Sequence, residues 1–128
     1  MSYYFSRTVK QPFDAVIDRV TAVLQEQGFG VLTEIDVKAT MKKKLDVDMR
    51  PYRILGACNP PFAYQALQAE DKIGTMLPCN VIVQELADGK VEVAAIDPIA
   101  SMQAVHNPAL QGIADEVARR LQKVVEQL

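Results

Sequence analysis

Two short runs rich in β-branched residues, Cys79 to Leu86 and Val91 to Ile96, stand either side of Asp88-Gly89. That dipeptide readily adopts the positive-φ conformations of a tight reverse turn, so the runs predict a β-hairpin. A hairpin commits this part of the sheet to antiparallel pairing. Other strand signals fall close by: Tyr3 to Val9, then Val31, Thr33, Ile35 and Val37, then Tyr52 to Cys58. Strands that cluster rather than alternate with helices favour an antiparallel sheet with helices packed on one face.

The helices announce themselves by spacing. Pro12 can open one, and Phe13, Val16, Ile17, Val20 and Leu24 recur at helical intervals before Gly28 supplies a left-handed stop. Val37, Met41 and Leu45 fall one turn apart, predicting a short helix that carries Lys42, Lys43 and Lys44 outward. Asn59-Pro60-Pro61 reads as an N-cap followed by proline, with Phe62, Ala66 and Leu67 turned inward and the helix dissolving near Gly74. Asp97-Pro98 caps another short helix through Val105. Asn107-Pro108 opens the last, whose stripe is Leu110, Ile113, Val117, Leu121, Val124 and Leu128. The expectation is an α+β fold taking in residues 1–128 as one domain. Its antiparallel sheet has about five strands with two long helices on one face, in the order β-α-β(4)-α.

Strand parity sharpens the expectation. Tyr52, Ile54, Gly56 and Cys58 share one face of their strand, as do Cys79, Val81 and Val83 in the next, and Val91, Val93 and Ala95 in the last. With those sets against the helices, the opposite face carries Leu55, Ala57, Ile82, Leu86, Ala94 and Ile96. A solvated sheet face should be mostly polar, so either the small helices or a second copy of the chain covers it. A homodimer is the expectation.

Composition bounds the function. The 128 residues are 49% hydrophobic and 23% charged, with a net charge of −2. A nucleic-acid domain advertises a strongly basic face, and the one basic run is flanked by Asp36, Asp46 and Asp48. No nucleic-acid partner is expected, and Lys42–Lys44 reads as a solvated helix face. The N-terminal residues lack the apolar run of a signal peptide, and no apolar stretch approaches the roughly 20 residues a membrane helix needs. The expected location is the cytoplasm, with no membrane partner and free thiols rather than a disulfide.

The candidate site lies where strands three, four and five meet. In an antiparallel meander, Cys58 ends one strand and Cys79 begins the next, and Asp97 is delivered to the same end. Cross-strand neighbours have Cα atoms about 4.5–5.5 Å apart, so the two cysteines should be near each other. They read as buried small hydrophobes, as redox or nucleophilic thiols, or, with Asp97 and His106, as metal ligands without the close Cys-x-x-Cys spacing. A helix terminus alone lowers a thiol pKa by less than one unit, and no cation within four residues of Cys58 adds to it. His106 otherwise reads as a loop residue. Asn59, Asp97 and Asn107 are each explained as N-caps. No phosphate loop, dinucleotide fingerprint, zinc helix or nucleophile elbow is present, and no cofactor is expected.

The segment Tyr52-Arg53-Ile54-Leu55-Gly56-Ala57-Cys58-Asn59-Pro60-Pro61, with Ala63-Tyr64, Leu67 and Leu77-Pro78-Cys79-Asn80-Val81, resembles the prokaryotic domain-of-unknown-function family 302. The resemblance continues through Val93, Asp97 and Pro98 and covers essentially the whole chain. It implies an α+β fold similar to half of the TATA-binding-protein fold, often as a homodimer, and no established activity. Fold does not carry function, so DNA binding is not implied.

Two functional classes follow. One is a homodimeric binding module for a small ligand near the Cys58/Cys79 end, with Asn59, Asn80, Asp97 and His106 as binding candidates. Helix starts at that end would suit an anionic group. The other is a thiol-dependent enzyme, redox carrier or metal handler using Cys58 and Cys79.

Overall fold

The computed structural model describes residues 2–128. The elements run β1 (Tyr4–Val9), α1 (Phe13–Glu26), β2 (Gly30–Asp36), α2 (Val37–Leu45), β3 (Tyr52–Cys58), α3 (Pro60–Ala69), β4 (Cys79–Glu85), β5 (Val91–Ile96), α4 (Pro98–Ser101) and α5 (Gln111–Glu126). Short 3-10 segments, Asp71–Met76 and Pro108–Leu110, follow α3 and precede α5. The five strands form one sheet in the order β1-β5-β4-β3-β2, every neighbour antiparallel. Strands β2 to β5 thus make a meander, and β1 closes its far edge against β5.

The hairpin signal holds: Leu86 N–H bonds Lys90 O, and Gly89 sits at φ 84°, a conformation open to glycine without strain. Gly28, at φ 87°, ends α1 as expected and turns the chain so that Phe29 N–H bonds Leu24 O at 2.9 Å. Phe29 is thereby buried. Helices α1 and α5 pack on one sheet face, where Val16, Val20, Val23, Leu24, Leu121 and Val124 meet Val81, Val83, Val91 and Val93. Of the expected stripe, α5 buries Val117, Leu121 and Val124 with Ile113 partly buried, while Leu110 is buried in the 3-10 segment before it and Leu128 is partly buried beyond its end.

Strand β3 corrects the parity reading. Leu55 pairs with Val81 and Ala57 with Cys79, so Leu55 and Ala57 face the helices and are fully buried. Tyr52, Ile54 and Gly56 lie on the outer face instead. Arg53 had no contrasting neighbour to mark its side. It lies on the helix side but at the sheet's end, 5.9 Å over the Phe13 ring and bonded to Glu34 and Asp36. Its exit from the core makes its polarity compatible with a buried face.

The outer face is apolar at its centre. Ile54, Ile82, Ala94 and Ile96 are half-buried, and Tyr4 and Ile35 are exposed. A shallow groove of about 320 Å³ runs along it between Tyr4, Tyr52, Ile82 and Ile96, so the small helices leave this face open. A polar ladder crosses it, Arg50 Nε to Gln84 Oε1 at 2.7 Å and Gln84 Nε2 to Glu92 Oε1 at 2.8 Å. Helix α2 buries nothing and presents its lysines to solvent, Lys42 pairing with Asp46 and Asp48. No helix among the described residues is long and apolar enough to cross a membrane.

Candidate functional site

At the end of the sheet where β3 finishes and β4 begins, the core does not close. The main core around α1, α5 and the strands is separate from a small cluster of Ala66, Ile73 and Leu110. Between the two lies a cavity of about 280 Å³. Ala57 and Cys79 line it from the sheet, Phe62, Ala63, Ala66 and Leu67 from α3, and Ile113, Ala114 and Val117 from α5. Phe29, Leu77, Pro98, Met102 and Leu110 contribute to the remaining lining. Small residues cause the gap: alanines at 57, 63, 66 and 114 stand where larger side chains would fill it.

Three residues bring polar atoms to this lining, Cys58, Cys79 and Asn59. The register pairs Ala57 with Cys79, so Cys58 lies one residue out of register with Cys79, as the meander reading expected. Both thiols are free. Burial pushes the Cys79 thiol up to about 11, with Cys58 beside it adding to the shift. Burial pushes Cys58 up as well. Both are therefore protonated at neutral pH, and the lining contains no lysine, arginine or histidine to reverse this.

Asn59 departs from its expected role. It occupies the N-cap position of α3, but its side chain caps nothing. The reason is local: an N-cap side chain accepts from the N–H of the second or third helical residue. Pro60 and Pro61 fill the first two places, so the second-residue donor is missing, and the Phe62 N–H at the third place is not taken up by the side chain. Asp97 and Asn107 do cap, accepting from Ile99 N at 3.0 Å and Ala109 N at 3.0 Å. Asn107 also donates to Ala69 O, tying the end of α3 to the start of the last helical segment.

The other candidates stand apart. Asn80 is exposed and borders the outer groove. His106 is exposed and lines a separate surface groove with Gln103 and Asp115. Asp97 is held in its cap beside Pro98. No three His, Cys, Asp or Glu side chains among the described residues come together as metal ligands. Sequence reasoning missed the far walls, Phe29 and Ile113 to Val117, which reach the site only through helix packing.

A clamp of charges holds the cavity's outer wall. Arg120 stacks 5.0 Å from the Phe62 ring centroid, donates Nη1 to Gln27 O at 3.1 Å and Nε to Glu116 Oε1 at 2.9 Å. It joins α5, the end of α1 and the first turn of α3. Gly28 is in the same place: a Cβ there would stand 3.0 Å from Asn59 Nδ2 and 3.3 Å from Arg120 Nη1.

No curated protein matches this sequence. Among solved structures, the crystal structure of an uncharacterized conserved DUF302 protein from Bacillus stearothermophilus is similar, with a TM-score of 0.91 at 26% identity. The likeness covers 99% of this chain and 98% of that one. The family described as "Domain of unknown function DUF302" matches residues 5–128, from the second residue of β1 to the C-terminal residue and through both cavity cysteines. On that whole-length match, the chain belongs to the DUF302 family.

Proposed function

We propose that this protein is a small-molecule binding module whose ligand enters the cavity at the Cys58/Cys79 end of the sheet. One observation carries the reading: a cavity of about 280 Å³ with nearly continuous apolar walls, set between two parts of the core. Ligand pockets commonly begin at about 300 Å³, and a dry void half this size already takes up benzene. The ligand is neutral and mostly apolar. An anionic one would meet no cation in the lining, and the Asp97 and Asn107 helix starts already hold their own caps. The thiol-enzyme alternative has weaker support, because both thiols are held protonated.

Naphthalene is a suitable probe. Titrated into the protein, it should raise Tm with concentration and shift resonances of Ala66, Ala114 and Val117. No stabilisation at saturating naphthalene, with those resonances still, would refute the reading.

We also propose that the molecule works as a homodimer in the cytoplasm, the outer sheet face meeting a second copy. The support is the apolar surface of Tyr4, Ile35, Tyr52, Ile54, Ile82 and Ile96, with its open groove. Light scattering at micromolar concentration should give twice the chain mass, and Ile82→Glu should return it to one. A monomeric mass for the unaltered protein would refute it.

A further inference from the structure

We infer that Asn59 is the recognition group of the cavity, and that the ligand is an apolar molecule carrying a single hydroxyl or carbonyl. The inference rests on the cavity reading and adds the chemistry of one wall. Asn59 is 6% exposed, the one buried polar or charged residue among the described residues. Its side chain makes no capping hydrogen bond to α3. Yet among the described residues no side-chain nitrogen or oxygen is both sealed from solvent and unpaired, so an unpaired atom of the Asn59 amide is open to water. Asn59 lines the cavity.

Its neighbours do not compete for it. Arg120, which lies with it beside Gly28, gives Nη1 to Gln27 O and Nε to Glu116. Pro61 removes the second-residue donor that Asp97 and Asn107 accept from at their own helix starts, and no cap bond to α3 is made. What is left is an uncharged group with both donor and acceptor capacity at the edge of an apolar space. The amide is open to water when the cavity is empty, so a ligand atom that pairs with it takes the place of a water and contributes a net hydrogen bond of ordinary worth. A hydroxyl satisfies either end of the amide. A charged group would be left in apolar surroundings without a counter-ion.

The test uses naphthalene and 2-naphthol, which share a ring system and differ by one hydroxyl. On the unaltered protein, 2-naphthol should bind about fivefold to tenfold more tightly, the worth of one good hydrogen bond. It should also shift the side-chain amide resonances of Asn59, which naphthalene should leave nearly in place. In Asn59→Leu the preference should fall to about onefold while naphthalene still binds. Equal binding of the two probes by the unaltered protein would overturn the inference while leaving the cavity reading intact. So would a preference that survives Asn59→Leu. The Asn59 resonances keep the test decisive if the variant does not fold, since still resonances under bound 2-naphthol also overturn it. Failure of both probes to bind removes the cavity reading and this inference together.

Discussion

Replacing Ala66 by leucine asks whether the space between the two parts of the core is real. Ala66 is 3% exposed on the inner side of α3 and lines the cavity. As an enclosed dry void, about 280 Å³ would cost about 7 kcal/mol at roughly 24 cal/mol per Å³. That is an upper bound, since the cavity has a mouth, and it is large beside a typical net stability of about 5–15 kcal/mol. Leucine adds three carbons at about 0.8 kcal/mol each, less about 0.5–1 kcal/mol for its lost rotamer freedom. The expected gain is about 1–2 kcal/mol, or about 4–7 °C in Tm for a chain this long. The control is the same substitution on α5. Ala118 is 4% exposed and lies outside the lining of the cavity, so Ala118→Leu should overpack and destabilise by about 1–3 kcal/mol. Calorimetry or urea unfolding measures both, and naphthalene binding should weaken in Ala66→Leu alone. If Ala66→Leu destabilises as Ala118→Leu does, the two sites are equally packed and the binding reading loses its foundation.

Three further outcomes follow from the same structure. The Cys79 thiol, raised by burial to about 11 from an ordinary value near 9, keeps its proton in the folded state after the unfolded chain has lost it. Its contribution is fully present below pH 9 and fades through pH 11, by about 1.4 kcal/mol per unit at most. Cys79→Val should flatten that part of the stability profile, and an unchanged slope would refute the assignment. Glu116 is held down to about 2 by hydrogen bonds from Arg119 and Arg120, so its contribution is present above about pH 4.5 and fades as pH falls towards 2. Glu116→Gln should therefore be less stable than the parent at pH 6 and indistinguishable from it at pH 2; a constant gap would count against the clamp. In Gly56→Ala the new Cβ would stand 2.2 Å from Thr33 Oγ1 and 2.8 Å from Pro78 Cγ. A loss of about 1–3 kcal/mol is expected, partly restored by adding Thr33→Ala, and a neutral substitution would refute the close approach.

Much of the architecture was legible because it is local. Asp88-Gly89 needs only its own backbone freedom to make a hairpin, and Gly28 needs only its own to end α1. The stripe from Leu110 to Leu128 is a property of helical period, and it buries whatever sheet it meets. The nearness of Cys58 and Cys79 followed from meander order, since one ends a strand and the other begins the next.

What the sequence left open depends on partners distant along the chain. Strand β3 is almost uniformly apolar, so alternation gives no contrast, and only pairing of Leu55 with Val81 and Ala57 with Cys79 turns it the right way. The cavity is made by alanines on β3, α3 and α5 that face one another across a gap, and no single segment encodes a gap. Asn59 is the clearest case. Its neighbours in sequence give it the place of a helix cap, while Pro61 withholds the second-residue donor, and packing beside Gly28 buries it at the edge of the cavity. Local spacing fixes which elements form, because hydrogen bonds and side-chain period act within a few residues. Where those elements fail to fill the space between them is decided only when they pack.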